Sequence, residues 1–259
     1  MEEPESKILV AVKERMSEET KIKEMWGREI ETLKEIEQKI KGIASPRIIC
    51  TMDQQNTKKS NKYIVMEWAE GKNLSKKIEI VEEKEILRMF LLISNELNKI
   101  HLCGFVHRDI KLENIINYKK NDSNFYCFID FGSSHFLASD LPKIATYSPQ
   151  FSPPEQNTEK ESESSDVYSL GVCFRLILSS CSKFFAPSQC LIDLVDNLVK
   201  DDPSERLSLK FFIDSLIDIV TSKKYPTNFD IYDSLSSNKK FEQPLHCERY
   251  KEIIEKLNN

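Results

Sequence analysis

Apolar residues fall on two different periods along this chain, and the changes of period outline two regions. Residues 8–14, ILVAVKE, form an apolar run of strand length. Residues 17–40 then change to helical spacing, with Ile22, Met25, Trp26, Ile30, Leu33, Ile36 and Ile40 on one face. Ser17 is placed to cap this helix, with Glu18 and Glu19 in a first turn whose dipole favours negative charge. SPRIICTM (45–52) and KYIVMEWA (62–69) predict two more strands, joined by the polar loop DQQNTKKSN. This strand-and-helix region ends near residue 69, and EGKN reads as a linker.

Beyond it the pattern is mainly helical. Residues 83–104 predict a long helix closed by Gly104. YCFIDFG (126–132) reads as a strand ending in a glycine turn. DVYSLGVCFRLILSS (166–180) is apolar on nearly every side, which suits a buried helix, and CLIDLVDNLV and LSLKFFIDSLIDIV predict amphipathic ones. From residue 221 the pattern weakens, with one short helical stretch, CERYKEIIEKLNN, near the end.

One stretch breaks both periods. FVHRDIKLENII (105–116) sets His107, Arg108, Asp109, Lys111, Glu113 and Asn114 between apolar ends, with no glycine or proline to mark a plain reversal. A solvated turn is one reading; a functional loop on a rigid scaffold is the other. The second gains from Asp130, which follows on another strand end. An Asp and an Asn on neighbouring strand ends suit a hard cation such as Mg²⁺, which takes one or two carboxylates and completes its shell with water and phosphate oxygens. Asp109 is placed to accept a proton from a hydroxyl, and Lys111 to neutralise a transferring phosphoryl group. Glu29 also stands out. It lies three residues after Trp26 and four before Leu33, on the apolar stripe of its helix. It either reaches solvent at the stripe edge or is paired, because an unpaired buried carboxylate is costly.

Composition narrows the class. The chain has 259 residues, 40% hydrophobic and 31% charged, with a net charge of -5, which gives no reason to expect nucleic acid or an acidic membrane as the main partner. No apolar run approaches membrane-spanning length. Seven cysteines without a Cys-x-x-Cys spacing signal neither a zinc site nor a disulfide framework. Reduced thiols in a cytoplasmic or nuclear protein are the expectation.

The order of short motifs resembles the eukaryotic protein kinase family: VAVK with Lys13, GREIETL with Glu29, HRDIKLEN, DFG, SPPE, DVYSLG and PSERLS, over roughly residues 8–220. The resemblance implies an α+β, two-lobed fold. It has a reduced N-lobe of about three antiparallel strands and one helix (1–69), a mainly α-helical C-lobe (70–220) and a tail (221–259). It implies a serine/threonine kinase using ATP and Mg²⁺ on protein substrates. Asp109 would be the catalytic carboxylate, Lys111 would steady the γ-phosphoryl group, and Asn114 and Asp130 would hold Mg²⁺. Lys13, paired with Glu29, would touch the α- and β-phosphates. Ala11 and Ile116 would sandwich adenine, with Met66, the Glu67 carbonyl and the Ala69 amide at the hinge. His107, Phe131 and Leu33 look like members of a regulatory apolar spine, or plain core. Asp166 would brace the catalytic loop, and Arg206 would pair with Glu155. Ser148 falls where the family often has Thr, contacting Asp109 and Lys111. Arg108 would meet a phosphate on the activation segment (132–155), with Thr146 the favoured acceptor for an upstream kinase.

Departures from the family are as informative. No G-x-G-x-x-G occurs among the six glycines, and the twelve residues before Lys13 contain none. The expectation is a missing phosphate lid, weak ATP binding, and a sheet edge at residues 8–12 that an activating partner strand could cover. The stretch 179–189 is short where the family carries another substrate-docking helix. A non-catalytic, kinase-like interaction module is therefore the alternative to an active kinase.

Overall fold

The computed structural model describes residues 10–15, 17, 19–39, 48–52, 63–67, 71–76, 82–120, 123–139, 143–183 and 186–222. The expected helix near the C-terminus, the loop 53–61 and the hinge residue Ala69 lie outside the described residues.

The first lobe is a three-stranded antiparallel sheet with one helix. Strand β1 (Val10–Glu14) is followed by helix α1 (Thr20–Lys39), β2 (Ile48–Met52) and β3 (Tyr63–Glu67), and the sheet order is β1-β3-β2. The register sets Lys13 against Ile64 and Ala11 against Met66. Helix α1 starts later than its sequence suggests. Ser17 Oγ accepts the Glu19 N–H at 3.1 Å, and the Glu19 carbonyl accepts the first helical bond, from the Lys23 N–H, so both precede the first turn. The apolar stripe of α1 serves two cores. Trp26 and Ile30 pack with Ile64 of β3, whereas Leu33 and Ile36 join the core of the second lobe. The helix thus ties the lobes together, and buried Glu29 sits within the first of these halves, next to Ile30.

A short strand stands where the sequence reads as a linker. The linker EGKN contains strand β4 (Gly71–Asn73). No apolar pattern marks it because backbone pairing and close approach hold it. A Cβ at Gly71 would lie 2.0 Å from the Asn117 carbonyl oxygen. Helix α2 (Glu83–Leu102) buries Ile86, Phe90, Leu91, Ile93, Leu97 and Ile100. It ends at Gly104, whose φ of +84° suits glycine and turns the chain into β5 (Phe105–Val106). Strands β6 (Ile115–Lys120) and β7 (Ser123–Phe128) form a hairpin that β4 extends, and β8 (His135–Phe136) pairs with β5.

Helix α3 (Glu163–Cys181) is buried along most of its length and capped by Ser162, with Ser165 returning the bond. Helices α4 (Gln189–Asp196) and α5 (Leu209–Ser222) close the lobe. Phe90 stacks on Phe174, and Phe174 on Phe212, so α2, α3 and α5 share one core. The fold is therefore two-lobed, with a β/α first lobe and a mainly helical second lobe. Among the described residues no helix is long and apolar enough to cross a membrane.

Candidate active site

The stretch between β5 and β6 is held from below by one carboxylate. Asp166, on the first turn of α3, accepts the N–H of His107 at 2.7 Å, the N–H of Arg108 at 2.8 Å and His101 Nε2 at 2.9 Å. These bonds hold Arg108 in a left-handed conformation, φ +68°, which a non-glycine residue adopts only when its surroundings compel it. Burial alone would raise the Asp166 pKa. The hydrogen bond and charge of His101, the His107 ring and the Arg108 N–H outweigh it and hold the carboxyl below its ordinary 3.8. The His107 ring is fully enclosed, which pushes its pKa down. Its Nε2 lies 3.2 Å from the Ile129 carbonyl, and its Nδ1 lies 3.4 Å from the Asp109 backbone nitrogen.

Above this support sits Asp109, with both carboxylate oxygens engaged. Lys111 Nζ donates to Oδ2 at 2.6 Å and Asn114 Nδ2 at 3.0 Å, while Ser148 Oγ donates to Oδ1 at 2.8 Å. Asn114 Nδ2 also reaches the Asp109 carbonyl at 2.9 Å. A carboxylate so oriented, with a cation beside it, suits a group that takes or directs a proton from a hydroxyl.

Asn114 connects Asp109 to the other half of the site. The Ile129 N–H donates to its carbonyl at 3.0 Å, so Asn114 lies against the residue before Asp130. Asp130 also has a left-handed φ of +66°. Its Oδ1 accepts from Lys13 Nζ at 2.9 Å, and the same ammonium reaches Glu29 at 2.6 and 2.9 Å. One cation thus faces two carboxylates with opposite behaviour. Glu29 is 3% exposed, and burial raises its pKa despite Lys13. Asp130 is 43% exposed, and there Lys13, aided by His107 and Lys111, outweighs burial and lowers it. Lys13 itself loses from burial and gains more from Glu29 and Asp130, so its pKa is raised.

The donor set fits a hard cation. Asn114 commits its amide nitrogen to Asp109, which leaves its oxygen to coordinate, and Asp130 commits only Oδ1 to Lys13. One carboxylate and one amide oxygen are a small set, as Mg²⁺ takes when phosphates and water supply the rest. Among the described residues no group of three or more His, Cys, Asp or Glu side chains forms a self-sufficient metal cage.

The remaining sequence-predicted residues fall in three places. Ala11 and Met66 are cross-strand neighbours on β1 and β3, Glu67 ends β3, and Ile116 lies on β6 of the second lobe, paired with Cys127. Leu33 and Phe131 are buried in the shared core, and the Phe131 ring lies 4.8 Å from that of His107. Glu155 and Arg206 form a buried two-point ion pair, with Nη1 2.5 Å from Oε1 and Nη2 2.8 Å from Oε2. Arg108 differs from its expectation of a phosphate partner in what it touches. Its buried guanidinium is bound by Glu161, a residue that sequence reasoning missed. Thr146 is tied to Asn157 and Gln156. The one signal for Glu161 is its place in TEKESES, where it is buried between exposed Glu159 and Glu163; such a run reads as a solvated surface.

The protein kinase domain family matches residues 2–190. The chain belongs to the protein kinase family. It is 32% identical over 150 residues to CDPK-related kinase 5 of Arabidopsis thaliana, covering 56% of this chain and 24% of that one. It is 32% identical over 150 residues to the human hormonally up-regulated neu tumor-associated kinase, covering 55% and 20%. It is 30% identical over 176 residues to serine/threonine-protein kinase Nek3 of Mus musculus, covering 56% and 34%. The chain thus spans between a fifth and about a third of the length of these relatives.

Proposed function

We propose that this kinase-family chain transfers the γ-phosphoryl group of ATP to serine and threonine hydroxyls of proteins. One observation carries the reading. Hydrogen bonds and one chain step, Ile129 to Asp130, link Ser148, Asp109, Asn114, Asp130, Lys13 and Glu29, which supports reading them as one site for proton handling, cation binding and phosphate binding. Lys111 beside Asp109 and the serine/threonine kinases among the relatives favour aliphatic hydroxyls.

In this reading Ala11, Ile116 and Met66 bound the adenine, and the Glu67 carbonyl and Ala69 amide fix its edge. Lys13, steadied by Glu29, binds the α- and β-phosphates. Asn114 and Asp130 hold Mg²⁺, which when bound neutralises phosphate charge. The substrate hydroxyl attacks the γ-phosphorus as the bond to the β-phosphate oxygen breaks. Asp109 orients the hydroxyl and receives its proton, and Lys111 faces the charge on the moving phosphoryl group. Protein substrates, an activating partner or upstream kinase, and a cytoplasmic or nuclear setting belong to the same proposal.

The test is phosphate transfer from labelled Mg·ATP to a generic Ser/Thr substrate, beside Asp109→Asn. Transfer should fall by about 10²-fold or more in the variant. Products dominated by phosphotyrosine would overturn the residue class. No transfer by either protein would overturn the enzymatic reading and leave a kinase-fold interaction module.

A further inference from the structure

Arg108 is buried, and its acceptors among the described residues can be named. Its Nε donates to Glu161 Oε1 at 2.6 Å, and Nη2 to Glu161 Oε2 at 3.1 Å and Asn157 Oδ1 at 3.4 Å. Its Nη1 donates to two carbonyls, Ser133 at 3.2 Å and Ile144 at 2.8 Å. The Arg108 and Glu161 side chains are each 1% exposed. All three guanidinium nitrogens therefore have protein acceptors, and the charge is met by a carboxylate in two-point geometry.

These acceptors tie together parts of the chain that are otherwise far apart. Ser133 and Ile144 lie on the two limbs of the 132–155 segment, and one guanidinium binds both. Glu161 also accepts the Asn157 N–H at 3.2 Å, where Asn157 has φ +65°. The Asn157 amide then holds Thr146 from both sides, donating to its carbonyl at 2.7 Å and accepting its N–H at 2.9 Å. Gln156 Nε2 bridges the Arg108 carbonyl and Thr146 Oγ1 at 3.1 and 3.2 Å. Two residues beyond Thr146 is Ser148, whose hydroxyl meets Asp109. Glu161 thus reaches the catalytic carboxylate through Asn157 and Thr146.

The surrounding charge shows why a carboxylate belongs there. The Lys143 ammonium lies 3.8 Å from Glu161 Oε2 and donates to the Glu161 carbonyl at 3.1 Å. Arg28 of α1 and His135 of β8 lie close enough for their charges to be felt at this cluster. The His135 pKa is pushed down by burial and then by Arg108, Lys143 and Arg28, with Glu161 opposing. Without Glu161, a buried guanidinium among like charges would lack a counter-ion.

We infer that Glu161 is a positioning residue that holds the 132–155 segment in its ordered arrangement through Arg108 and Asn157, as the built-in anion of a site that needs no phosphate. This rests on the kinase reading for its consequence, which is that transfer does not require modification of the segment. The geometric part stands without it.

The experiment compares the full chain with Glu161→Gln, Glu161→Asp and the double variant Arg108→Met/Glu161→Leu. It reads amide exchange of residues 133–148 and, separately, kcat and the KM for ATP. Wild-type protein treated with phosphatase should keep its exchange protection and its transfer rate. Glu161→Gln should raise segment exchange by about tenfold or more with a cooperative melt retained, as local opening without global unfolding does. Its kcat should fall while KM for ATP holds, and Glu161→Asp should restore part of the loss. The double variant removes the buried charges together, so it should fold and still show a loose segment, even if Glu161→Gln does not fold. A protected segment in either neutral variant, or loosening of wild type by phosphatase, would overturn the inference. If wild type transfers no phosphate, the exchange measurement still decides the role of Glu161, while the kinase reading fails by itself.

Discussion

Two cationic clusters organise this molecule, and they differ in how far water reaches them. Lys13 is 36% exposed and divides its bonds between Glu29, which is 3% exposed, and Asp130, which is 43% exposed. Arg108 and Glu161 are both sealed at 1%. The open cluster has one enclosed acid and one that water reaches, so the proposed phosphate ligand could compete for the ammonium. The sealed cluster has no such freedom, since each nitrogen of its guanidinium already meets a protein oxygen. The same chemistry, a cation between oxygen acceptors, is therefore built for exchange in one place and for permanence in the other. Burial, more than charge, decides which.

Breaking the sealed cluster from one side should produce the largest effect. Arg108→Met leaves the Glu161 side chain enclosed without its two-point partner, with the Lys143 ammonium 3.8 Å away. It should cost about 3–5 kcal/mol of unfolding free energy, the range for removing one member of a buried ion pair. Urea unfolding of this variant beside Arg108→Met/Glu161→Leu checks it. Much of the loss should return in the double variant, because the uncompensated charge is gone. Equal losses in both would mean that the guanidinium's bonds to Ser133 and Ile144, not its charge, carry the stability.

Asp166 beneath the proposed catalytic loop should rank next. Asp166→Asn keeps one acceptor oxygen but turns an NH₂ towards a backbone donor, and should cost about 1.5–3 kcal/mol, as for hydrogen bonds to a charged group. The pH dependence sharpens this. The folded-state pKa of Asp166 is held below the ordinary 3.8, so the ionised group's stabilisation is present above that value. It is lost as pH falls through the lower, folded-state pKa. The gap between wild type and variant in urea unfolding should therefore be constant at neutral pH and narrow below about pH 4. A gap that widens on acidification would show that Asp166 has the opposite linkage.

The two clusters were not equally legible in the sequence. Much of what surrounds Asp109 lies within FVHRDIKLENII, where charged residues between apolar ends announce a site before any contact is known. Glu29 could be placed on the inward stripe of α1 from its spacing to Trp26 and Leu33, and it is buried there. Glu161 offers no such pattern. It belongs to no apolar stripe, and its partner lies 53 residues earlier. Only folding distinguishes it from Glu159 and Glu163. Strand β4 was hidden for a related reason. Its three residues are polar or glycine, and what makes them a strand is backbone pairing to β6 and the clearance beside Asn117. The delayed start of α1 is of another kind, since Ser17 does cap a donor, but one outside the helix. Local signals thus gave the longer helices and the first-lobe strands and one half of the site, whereas short strands held by backbone pairing, such as β4, did not register.

The smallest stability effect belongs at the open end of the comparison. Asp130→Asn removes a carboxylate that is 43% exposed, and Lys13 keeps its two bonds to buried Glu29. Partly exposed ion pairs contribute about 0–1 kcal/mol, so the urea midpoint should move little. The backbone should tolerate the change as well, because φ is +66° there and Asn enters the left-handed region more readily than most residues. Ligand binding should respond differently. The variant loses the only carboxylate in the proposed Mg²⁺ set, so stabilisation of the fold by ATP should lose its dependence on added Mg²⁺, read as the shift in melting temperature with and without the metal. A stability loss of several kcal/mol would instead make Asp130 a structural partner of Lys13, and the contrast between an exchangeable and a permanent cluster would collapse. An unchanged Mg²⁺ dependence would place the cation elsewhere in the cleft.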